Sequence, residues 1–216
     1  MSANLILHGY WRSSAAYRVR IALNLKGLAY DQIYHDLRTG AQHAAEYRAI
    51  APHGLVPALI DEGHAFIQSP AILEWLEDRH PLPALLPTDI NARAIVRSMV
   101  AIVACDTHPL NNLRVLDKLR GTFGADADTI ARWIAGWITE GFSALEQLVR
   151  RHGEGFSFGA APTLADCTLV PQLYSAERFG VDLSPYAALV AVGEAARALP
   201  AFIAAHPDRQ PDADRP

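Results

Sequence analysis

Apolar and polar positions near the start of the chain alternate in the way that strands and amphipathic helices require. Residues 5–7 form a short apolar strand, which runs into a polar turn at 10–14. From Ala15 to Leu23 apolar side chains recur at helical spacing, and Gly27 supplies a stop. The pattern therefore predicts a strand, a turn that carries two adjacent serines, and a helix that begins at those serines.

The following residues complete the pattern of an α/β domain. In chain order they predict a strand at 30–35, a short surface helix at 42–50, a strand after Val56-Pro57, a hairpin turn at 61–64, a strand at 65–67, and a helix that Ser69 caps with Pro70 in its first turn. A strand, helix, strand, helix beginning is typical of a parallel α/β arrangement. The sequence leaves open whether the Val56–Pro57 bond is cis or trans.

A proline-dense stretch at 80–87 marks the predicted domain boundary, because proline interrupts helices and sheet ladders alike. We assign residues 1–84 to the α/β domain and residues 85–216 to an all-helical domain. The helices predicted in the second domain span about 89–119, 126–151, 163–180, 186–197 and 199–205.

Two local features of the second domain carry structural predictions. Thr163 and Asp166 precede an apolar run with the spacing of a capping box, to which we assign no chemistry. Residues 206–216 are rich in Pro and Asp and lack an amphipathic pattern. We expect them to be extended or disordered unless they dock on the body of the protein.

Composition and charge narrow the function classes. The chain has 216 residues, 50% of them hydrophobic, and a formal net charge of -4, so it can bury real cores but lacks the basic surface of a nucleic-acid-binding protein. No apolar stretch is long enough to span a bilayer and the first residues lack the order of a secretory signal, so the cytoplasm is the expected compartment. Cys105 and Cys167 are expected to be small core residues. The histidines lack ligand spacing, so no metal is expected.

The serine turn is the segment that most directly indicates chemistry. Ser13 and Ser14 lie at the predicted N-terminus of a helix, where unpaired backbone N–H groups favour an anion such as a thiolate, phosphate or carboxylate. The helix start at Ser69 allows two interpretations. It is either a plain cap or a second anion site that takes a carboxylate.

Together these features resemble the zeta class of the cytosolic glutathione transferases. Residues 12–20 are similar to the zeta motif SSCSxRVRIAL, and the stretches 108–114, 163–166 and 176–186 agree as well, so the resemblance covers nearly the whole chain. It implies a thioredoxin-like N-terminal domain of βαβαββα order with a mixed four-stranded sheet, followed by an all-α C-terminal domain. It also implies glutathione as cofactor and a homodimer, which the prevalence of symmetric oligomers favours too.

The activity implied by the resemblance is glutathione-dependent cis–trans isomerisation of a maleyl dicarboxylate. The thiolate of glutathione adds to the double bond, the adduct rotates about the resulting single bond, and the thiolate leaves. The leading substrate is maleylacetoacetate, from aromatic amino-acid breakdown, and maleylpyruvate, from gentisate breakdown, is the alternative. A general transferase acting on electrophilic acids and a non-catalytic glutathione-binding scaffold are further alternatives, although the retained Ser13, Gln68 and Ser69 argue against a scaffold.

The chain departs from the zeta motif at Ala15 and Ala16, where the motif has Cys and Ser. No protein thiol is therefore available in the turn, which excludes a disulfide-exchange role for it. The isomerase interpretation is unaffected, because the nucleophile belongs to glutathione.

The resemblance also implies which residues hold glutathione. Ser13 is the first choice for the hydrogen bond to the thiolate, and Ser14 is the second. The other implied contacts are the backbone of Val56 to the cysteinyl part, Gln68 and Ser69 to the γ-glutamyl carboxylate, Gln42 or less readily His43 to the glycyl end, and His108, Asn112 and Arg114 from the helical domain. The spacing predicts that His108 and Asn112 lie on one face of a helix.

A dicarboxylate substrate also needs cations, and arginine binds a carboxylate in a fork. Arg12, beside the serines, is the leading candidate. Arg178 is second by motif position, and Arg114 could serve either the substrate or glutathione. Arg18 and Arg20 are interpreted as structural or surface ion pairs, each worth little.

Overall fold

The computed structural model describes residues 5–214, and these divide into two compact units. The first comprises the described residues up to Leu85 together with those from Ala198 onward, and the second comprises Leu86–Arg197. The break after Leu85 lies one residue beyond the end that we expected for the α/β domain. Residues 198–214, which we expected in the helical domain, belong instead to the first unit.

The helices and strands follow the predicted order closely. They are β1 (Leu5–Gly9), α1 (Ser14–Leu25), β2 (Tyr30–Tyr34), α2 (Ala45–Ile50), β3 (Ala58–Asp61), β4 (His64–Ile67), α3 (Ser69–Arg79), α4 (Ile90–Ala101), α5 (Leu113–Phe123), α6 (Ala127–His152), α7 (Leu164–Arg178), α8 (Ala187–Arg197) and α9 (Pro200–Ala205). Three short 3₁₀ segments lie at Ala41–His43, His108–Asn111 and Pro207–Arg209, and a π-helical segment lies at Ile102–Thr107.

The first unit is built on a mixed four-stranded sheet in the order β2-β1-β3-β4. β1 runs parallel to β2 and antiparallel to β3, which forms a hairpin with β4. Leu7 and Leu59 are opposite each other in the two central strands and are fully buried, as are Val19 of α1 and Ile72 of α3. The predicted βαβαββα domain is confirmed, and the order of its sheet explains why β1 and β3 are its most apolar strands.

α1 begins and ends where its sequence indicates. Ser13 is the N-cap, with an extended backbone and a side chain that accepts the N–H of Ala16. At the other end Gly27 has a φ of 64°, a left-handed conformation in which a side chain would be strained. Because β1 ends at Gly9, the serine turn lies at the carboxyl end of a central strand, directly before the helix.

The single helix predicted over about 89–119 is wrong, because a π-helical segment and a 3₁₀ segment separate α4 from α5. The π-helical segment follows α4, and in it Thr107 Oγ1 donates a hydrogen bond to the carbonyl of Ile102 at 2.9 Å. Gly141 of α6 leaves the space that Thr107 fills, since a Cβ there would overlap its hydroxyl. Pro109 then lacks the N–H that an α-helix needs, and a 3₁₀ segment leads to α5.

Apart from an isolated bridge between Gly153 and Gly159, the described secondary structure of the second unit is helical, as predicted. The capping box at the start of α7 is confirmed, with Thr163 accepting the N–H of Ala165 and Asp166 accepting the N–H of Thr163. Cys167 is buried as expected, but Cys105 is exposed in the π-helical segment, so the expectation that it is a core residue is wrong. Among residues 5–214, no helix is long and apolar enough to cross a membrane.

Candidate functional site

Three segments of the first unit leave the sheet at the same end. His8 of β1 is opposite Ala58 of β3, and Ala58 is opposite Ile67 of β4. Because these pairs are antiparallel, the chain beyond His8, before Ala58 and beyond Ile67 continues in the same direction. The register therefore brings together the serine turn, the Val56–Pro57 bend and the Gln68-Ser69 helix start, which are the segments singled out from the sequence.

The serine turn presents the hydroxyl of Ser13 at the N-terminus of α1. The N–H of Ser13 donates to the carbonyl of Tyr10 at 3.0 Å and closes the turn, while its Oγ accepts the N–H of Ala16 at 3.2 Å. A hydroxyl that accepts one hydrogen bond retains its own proton for another. Ser13 is partly exposed, whereas Ser14, the first helical residue, is buried. Of the two serines, Ser13 thus combines an accessible donor with the positive end of the helix dipole.

Arg12 directly precedes Ser13 in the chain, and its charge acts on the carboxylate of Asp36 without forming an ion pair with it. Its guanidinium lies over the ring of Trp11, 5.3 Å from the ring centroid. Within residues 5–214, no carboxylate or carbonyl forms an ion pair or a hydrogen bond with it. A partly exposed guanidinium with open donors is suited to binding a carboxylate in a fork.

The helix start at Ser69 differs from its prediction. Gln68, not Ser69, is the N-cap, with a φ of 69° that is strained for a residue other than glycine. Ser69 is therefore the first residue of α3, and its buried Oγ accepts a hydrogen bond from Nη1 of Arg18 at 3.1 Å. Ser69 keeps its own proton for a ligand, and a buried cation lies directly behind it.

Arg18 and Arg20 are not surface ion pairs. Each is only 1% exposed. Arg20 donates to the carbonyls of Trp11 and Ala205 at 2.9 and 3.0 Å, and Arg18 donates to Ser69. Burial lowers the pKa of Arg20 to about 10, which leaves it a cation at neutral pH. Of the two interpretations of these arginines, the surface ion pair is therefore wrong, whereas a structural role agrees with their burial and hydrogen bonds. Their positive charges lie inside the first unit.

Val56 occupies a partly exposed bend just before β3, and the peptide bond between it and Pro57 is cis. Tyr47 of α2 supports the bend, because its Oη donates to the carbonyl of Leu55 at 2.7 Å. Since Val56 precedes the strand, its backbone groups lie outside the paired residues of β3 and β4.

Gln42 lies in the 3₁₀ segment Ala41–His43, with its Nε2 3.2 Å from Nε2 of His43. Its Oε1 is buried and has no hydrogen-bond partner among the described residues. Gly54 approaches the same segment closely, since a Cβ at this position would lie 2.9 Å from Nδ1 of His43. The Gln42 amide is thus held beside the loop that leads to Val56.

His108 and Asn112, the candidate glutathione contacts of the second unit, do not lie as predicted. His108 begins the 3₁₀ segment, whereas Asn112 has an extended backbone and is the N-cap of α5. The two residues therefore do not share one helix face, because the 3₁₀ segment ends at Asn111 and the backbone is extended at Asn112. Asn112 Oδ1 accepts the N–H of Arg114 at 3.2 Å, which is an ordinary capping contact.

The two arginines predicted in the second unit are both exposed. Arg114 and Lys118 line a groove of ≈ 490 Å³, with Phe123 and Trp133 among its apolar walls. Arg178 lies in the last turn of α7, and its guanidinium lies 4.5 Å from the ring centroid of Phe179. Both positions offer a cation beside an apolar surface.

The sequence left open whether residues 206–216 dock on the body of the protein; residues 206–214 do dock on the first unit, and residues 215 and 216 lie outside the described part of the chain. The partners in this docking were not predicted. Asp212 Oδ2 accepts the N–H of Trp11 at 2.9 Å, and Arg38 bridges Asp36 and Asp214. The carboxylates were visible in the sequence, but no local pattern connects position 212 to position 11. In the part of the chain from 5 to 214, His, Cys, Asp and Glu form no cluster that could hold a metal ion.

Two family models match the chain. The model of the glutathione S-transferase N-terminal domain matches residues 7–84, and that of the glutathione S-transferase C-terminal domain matches residues 127–207. The first range contains the serine turn and the Gln68-Ser69 helix start, and the second contains the capping box of α7.

Two relatives match over nearly their whole length. The chain is 49% identical over 209 residues to a maleylpyruvate isomerase of a Ralstonia species, with 95% of this chain and 98% of that protein covered. It is 50% identical over 209 residues to the maleylacetoacetate isomerase of Pseudomonas aeruginosa, with 95% and 97% covered.

Solved structures agree with these relatives. A holo structure of a maleylpyruvate isomerase, described as a bacterial glutathione S-transferase in the zeta class, is 48% identical, with a TM-score of 0.95 and 97% and 100% of the two chains covered. A maleylacetoacetate isomerase of Anaeromyxobacter dehalogenans with bound glutathione is 50% identical, with a TM-score of 0.90 and 99% of each chain covered.

The same Anaeromyxobacter enzyme has also been solved with dicarboxyethyl glutathione and citrate in its active site, at 49% identity, a TM-score of 0.90, and 100% and 96% coverage. Identity near one half over almost the full length exceeds what a shared fold alone requires. Glutathione is thus the cofactor that the family and the solved relatives support. The chain belongs to the zeta class of the glutathione transferase family.

Proposed function

We propose that the protein is a glutathione-dependent cis–trans isomerase of a maleyl dicarboxylate, with maleylacetoacetate as the leading substrate and maleylpyruvate as the alternative. The observation that carries the proposal is the adjacency of Ser13 and Arg12. A hydroxyl donor at a helix N-terminus suits a thiolate, and the unpaired guanidinium beside it suits a carboxylate. A plain conjugating enzyme needs the first feature, whereas a dicarboxylate isomerase needs both.

The chemistry begins with activation of the thiol. A free thiol has a pKa of about 8.5, so the site must favour the thiolate near neutral pH. In our proposal the Ser13 hydroxyl donates to the sulfur, and the N-terminus of α1 adds favourable partial charge. Ser14, which is buried, is the second candidate for this contact.

The thiolate then attacks one carbon of the cis double bond, and the π electrons move onto the conjugated carbonyl as an enolate. The former double bond is now single and rotates. Collapse of the enolate re-forms the double bond in the trans geometry and expels the thiolate, so that no atom is gained or lost. Arg12 would hold a substrate carboxylate throughout, and Arg178 and Arg114 are the proposed second cations.

Glutathione itself would be held at several separated points. The backbone of Val56 lies outside the strand ladder and is proposed to pair with the cysteinyl part. Ser69, with buried Arg18 behind it, and Gln68 are proposed to bind the γ-glutamyl carboxylate. Gln42 is proposed for the glycyl end. His108, Asn112 and Arg114 keep their proposed glutathione contacts, although not as neighbours on one helix face.

The bound species described in the Anaeromyxobacter relative supports this chemistry. Dicarboxyethyl glutathione carries the two carboxylates that the adduct of glutathione with an unsaturated four-carbon dicarboxylate would carry. The two relatives of nearly equal identity have different substrates in their names, so they do not choose between maleylacetoacetate and maleylpyruvate. A homodimer and a cytoplasmic location remain proposals, which sedimentation and cell fractionation would test.

The test uses purified protein with glutathione and each cis substrate in turn, following loss of the cis absorbance. We expect turnover that depends on glutathione. In Arg12→Ala the KM for the dicarboxylate should rise about 10- to 100-fold while the KM for glutathione stays within about twofold, because a fork contact to a carboxylate is lost.

Arg12→Lys is the matched control, since it keeps the charge but loses the fork, and it should fall between the wild type and the alanine variant. Equal rises of both KM values would contradict the assignment of Arg12. Glutathione binding without turnover of either substrate would favour the scaffold, and turnover only of electrophilic acids would favour the general transferase.

A further inference from the structure

The segment 206–214 is anchored to the first unit by specific hydrogen bonds. Gln210, which is only 6% exposed, donates through Nε2 to the carbonyls of Ala204 and His206 at 3.0 and 2.9 Å. Its Oε1 accepts from Nε2 of Gln32 in β2 at 3.2 Å. The segment therefore has a fixed path that ends beside the serine turn.

At the end of this path the peptide groups of Trp11 are held from both sides. Asp212 Oδ2 accepts the Trp11 N–H at 2.9 Å, and the buried guanidinium of Arg20 donates to the Trp11 carbonyl at 2.9 Å. Arg20 also donates to the carbonyl of Ala205, at the end of α9. One charged group on each side thus fixes the backbone of a single residue.

The orientation of Trp11 affects the directions in which the Arg12 side chain and the Ser13 hydroxyl point. It lies with Arg12 between Tyr10 and Ser13, the residues that close the turn. A change in the Trp11 peptide planes would redirect the Arg12 side chain and shift the Ser13 N-cap. Charge-assisted hydrogen bonds to both sides of this residue oppose such a change.

We propose that Asp212 is a positioning residue for the reaction, which fixes the turn that presents Arg12 and Ser13. This inference rests on the proposed function. Asp212 contacts backbone rather than reacting atoms, so it acts through the turn and is not itself a catalytic residue. A carboxylate near a thiolate would by its charge oppose thiolate formation. The hydrogen bond from the Trp11 N–H to Asp212 should therefore favour a low pKa of the bound thiol, whereas the negative charge of Asp212 should raise that pKa.

The experiment compares Asp212→Ala, Asp212→Asn and Asp214→Ala in the full chain. Asparagine keeps an oxygen that can accept the Trp11 N–H but removes the charge. Asp214 is the matched control, because it is an exposed aspartate of the same segment whose partner is exposed Arg38. Each variant is assayed for the KM values, for kcat, for melting temperature, and for the pKa of bound glutathione from thiolate absorbance in the binary complex.

If Asp212 acts by position, Asp212→Ala should raise the pKa of the bound thiol by about half a unit to one unit and lower kcat/KM for the dicarboxylate about tenfold. The kcat/KM of Asp212→Asn should stay within about threefold of the wild-type value. Asp214→Ala should match the wild type. The KM for glutathione should change by less than about twofold, because most of the tripeptide is held elsewhere.

A lowered thiol pKa in both Asp212 variants would overturn the proposal, since charge would then be the dominant effect. If the Asp212 variants lose activity only in proportion to their loss of melting temperature, with no change in the thiol pKa, Asp212 has a purely structural role. That result would also overturn the proposal. The wild type provides the separate test of the proposed function. If it binds glutathione but isomerises neither substrate, the isomerase proposal fails, while the thiol pKa in the binary complex still decides the role of Asp212.

Discussion

Ser13 has two hydrogen-bonding roles that one substitution removes together. Its oxygen accepts the N–H of Ala16 and caps α1, and its proton is the proposed donor to the thiolate. Loss of activity in a Ser13 variant could therefore follow from a weakened helix or from an unstabilised sulfur. The two causes separate because glycine is a tolerable N-cap and alanine is a poor one.

We expect both Ser13→Ala and Ser13→Gly to lower kcat/KM by about 100- to 1000-fold, since each lacks the hydroxyl. Only Ser13→Ala should lose about 1 kcal/mol of unfolding free energy, because glycine at an N-cap costs a few tenths. Steady-state kinetics and urea titration measure the two effects. Activity that tracks stability across the pair would show that capping is the role of the hydroxyl. Ser14→Ala should cost less than about tenfold if Ser13 is the donor.

At the residue scale the sequence predicted what local chemistry determines. Adjacent serines before an amphipathic run indicate a helix N-terminus, and the structure places Ser13 there as the cap. The roles of Arg18 and Asp212 could not be read in this way. Their partners, Ser69 and Trp11, lie 51 and 201 residues away in the chain, so only tertiary packing brings them together.

At the scale of elements, helix starts were predicted better than helix continuity. The caps of α1 and α7 have local signatures, and both are present. The interruption between α4 and α5 depends on Thr107 meeting the space left by Gly141 on another helix. A periodicity of apolar residues continues through such a break, so it predicted one long helix.

The capping box of α7 provides a stability prediction. Asp166 is fully buried, and its carboxylate accepts the backbone N–H groups of Ser157 and Thr163, each at 2.7 Å. Asp166→Ala should therefore cost about 3 kcal/mol of unfolding free energy, because two buried donors lose their acceptor. Thermal and urea unfolding would measure this loss.

Asp126→Ala is the matched control for Asp166→Ala. Asp126 also caps a helix, α6, by accepting the N–H of Thr129 at 2.8 Å, but it is exposed to water. Water can replace its carboxylate, so its removal should cost clearly less. Equal losses in the two variants would show that burial of the capping box contributes nothing.

For the molecule as a whole, the proline-dense stretch allowed the division into an α/β part and a helical part to be predicted. The sequence did not predict that residues 198–214 belong to the first unit. Asn24 of α1 donates to the carbonyl of Ala201, and Arg20 to that of Ala205, so α9 is held by polar side chains of a helix near the other end of the chain. Such pairings leave no periodic trace in the sequence.

The stability of the whole chain should depend on pH through the stacked pair of His8 and His35. Their facing nitrogens are 3.0 Å apart, and the ring of Tyr47 lies 4.1 Å from that of His35. Burial lowers the pKa of both histidines below 6.5, and the nearby His35 lowers that of His8 further.

Below about pH 6.5 the unfolded chain therefore binds more protons than the folded chain. The contribution of the two histidines to the free energy of unfolding should be complete above that pH and should be lost as the pH falls. Urea titrations from pH 7.5 to about 5 measure the slope of the free energy of unfolding against pH. His8→Gln should reduce this slope by up to the equivalent of about one proton. A wild-type stability that stays constant across this range would contradict the burial of the pair as its cause.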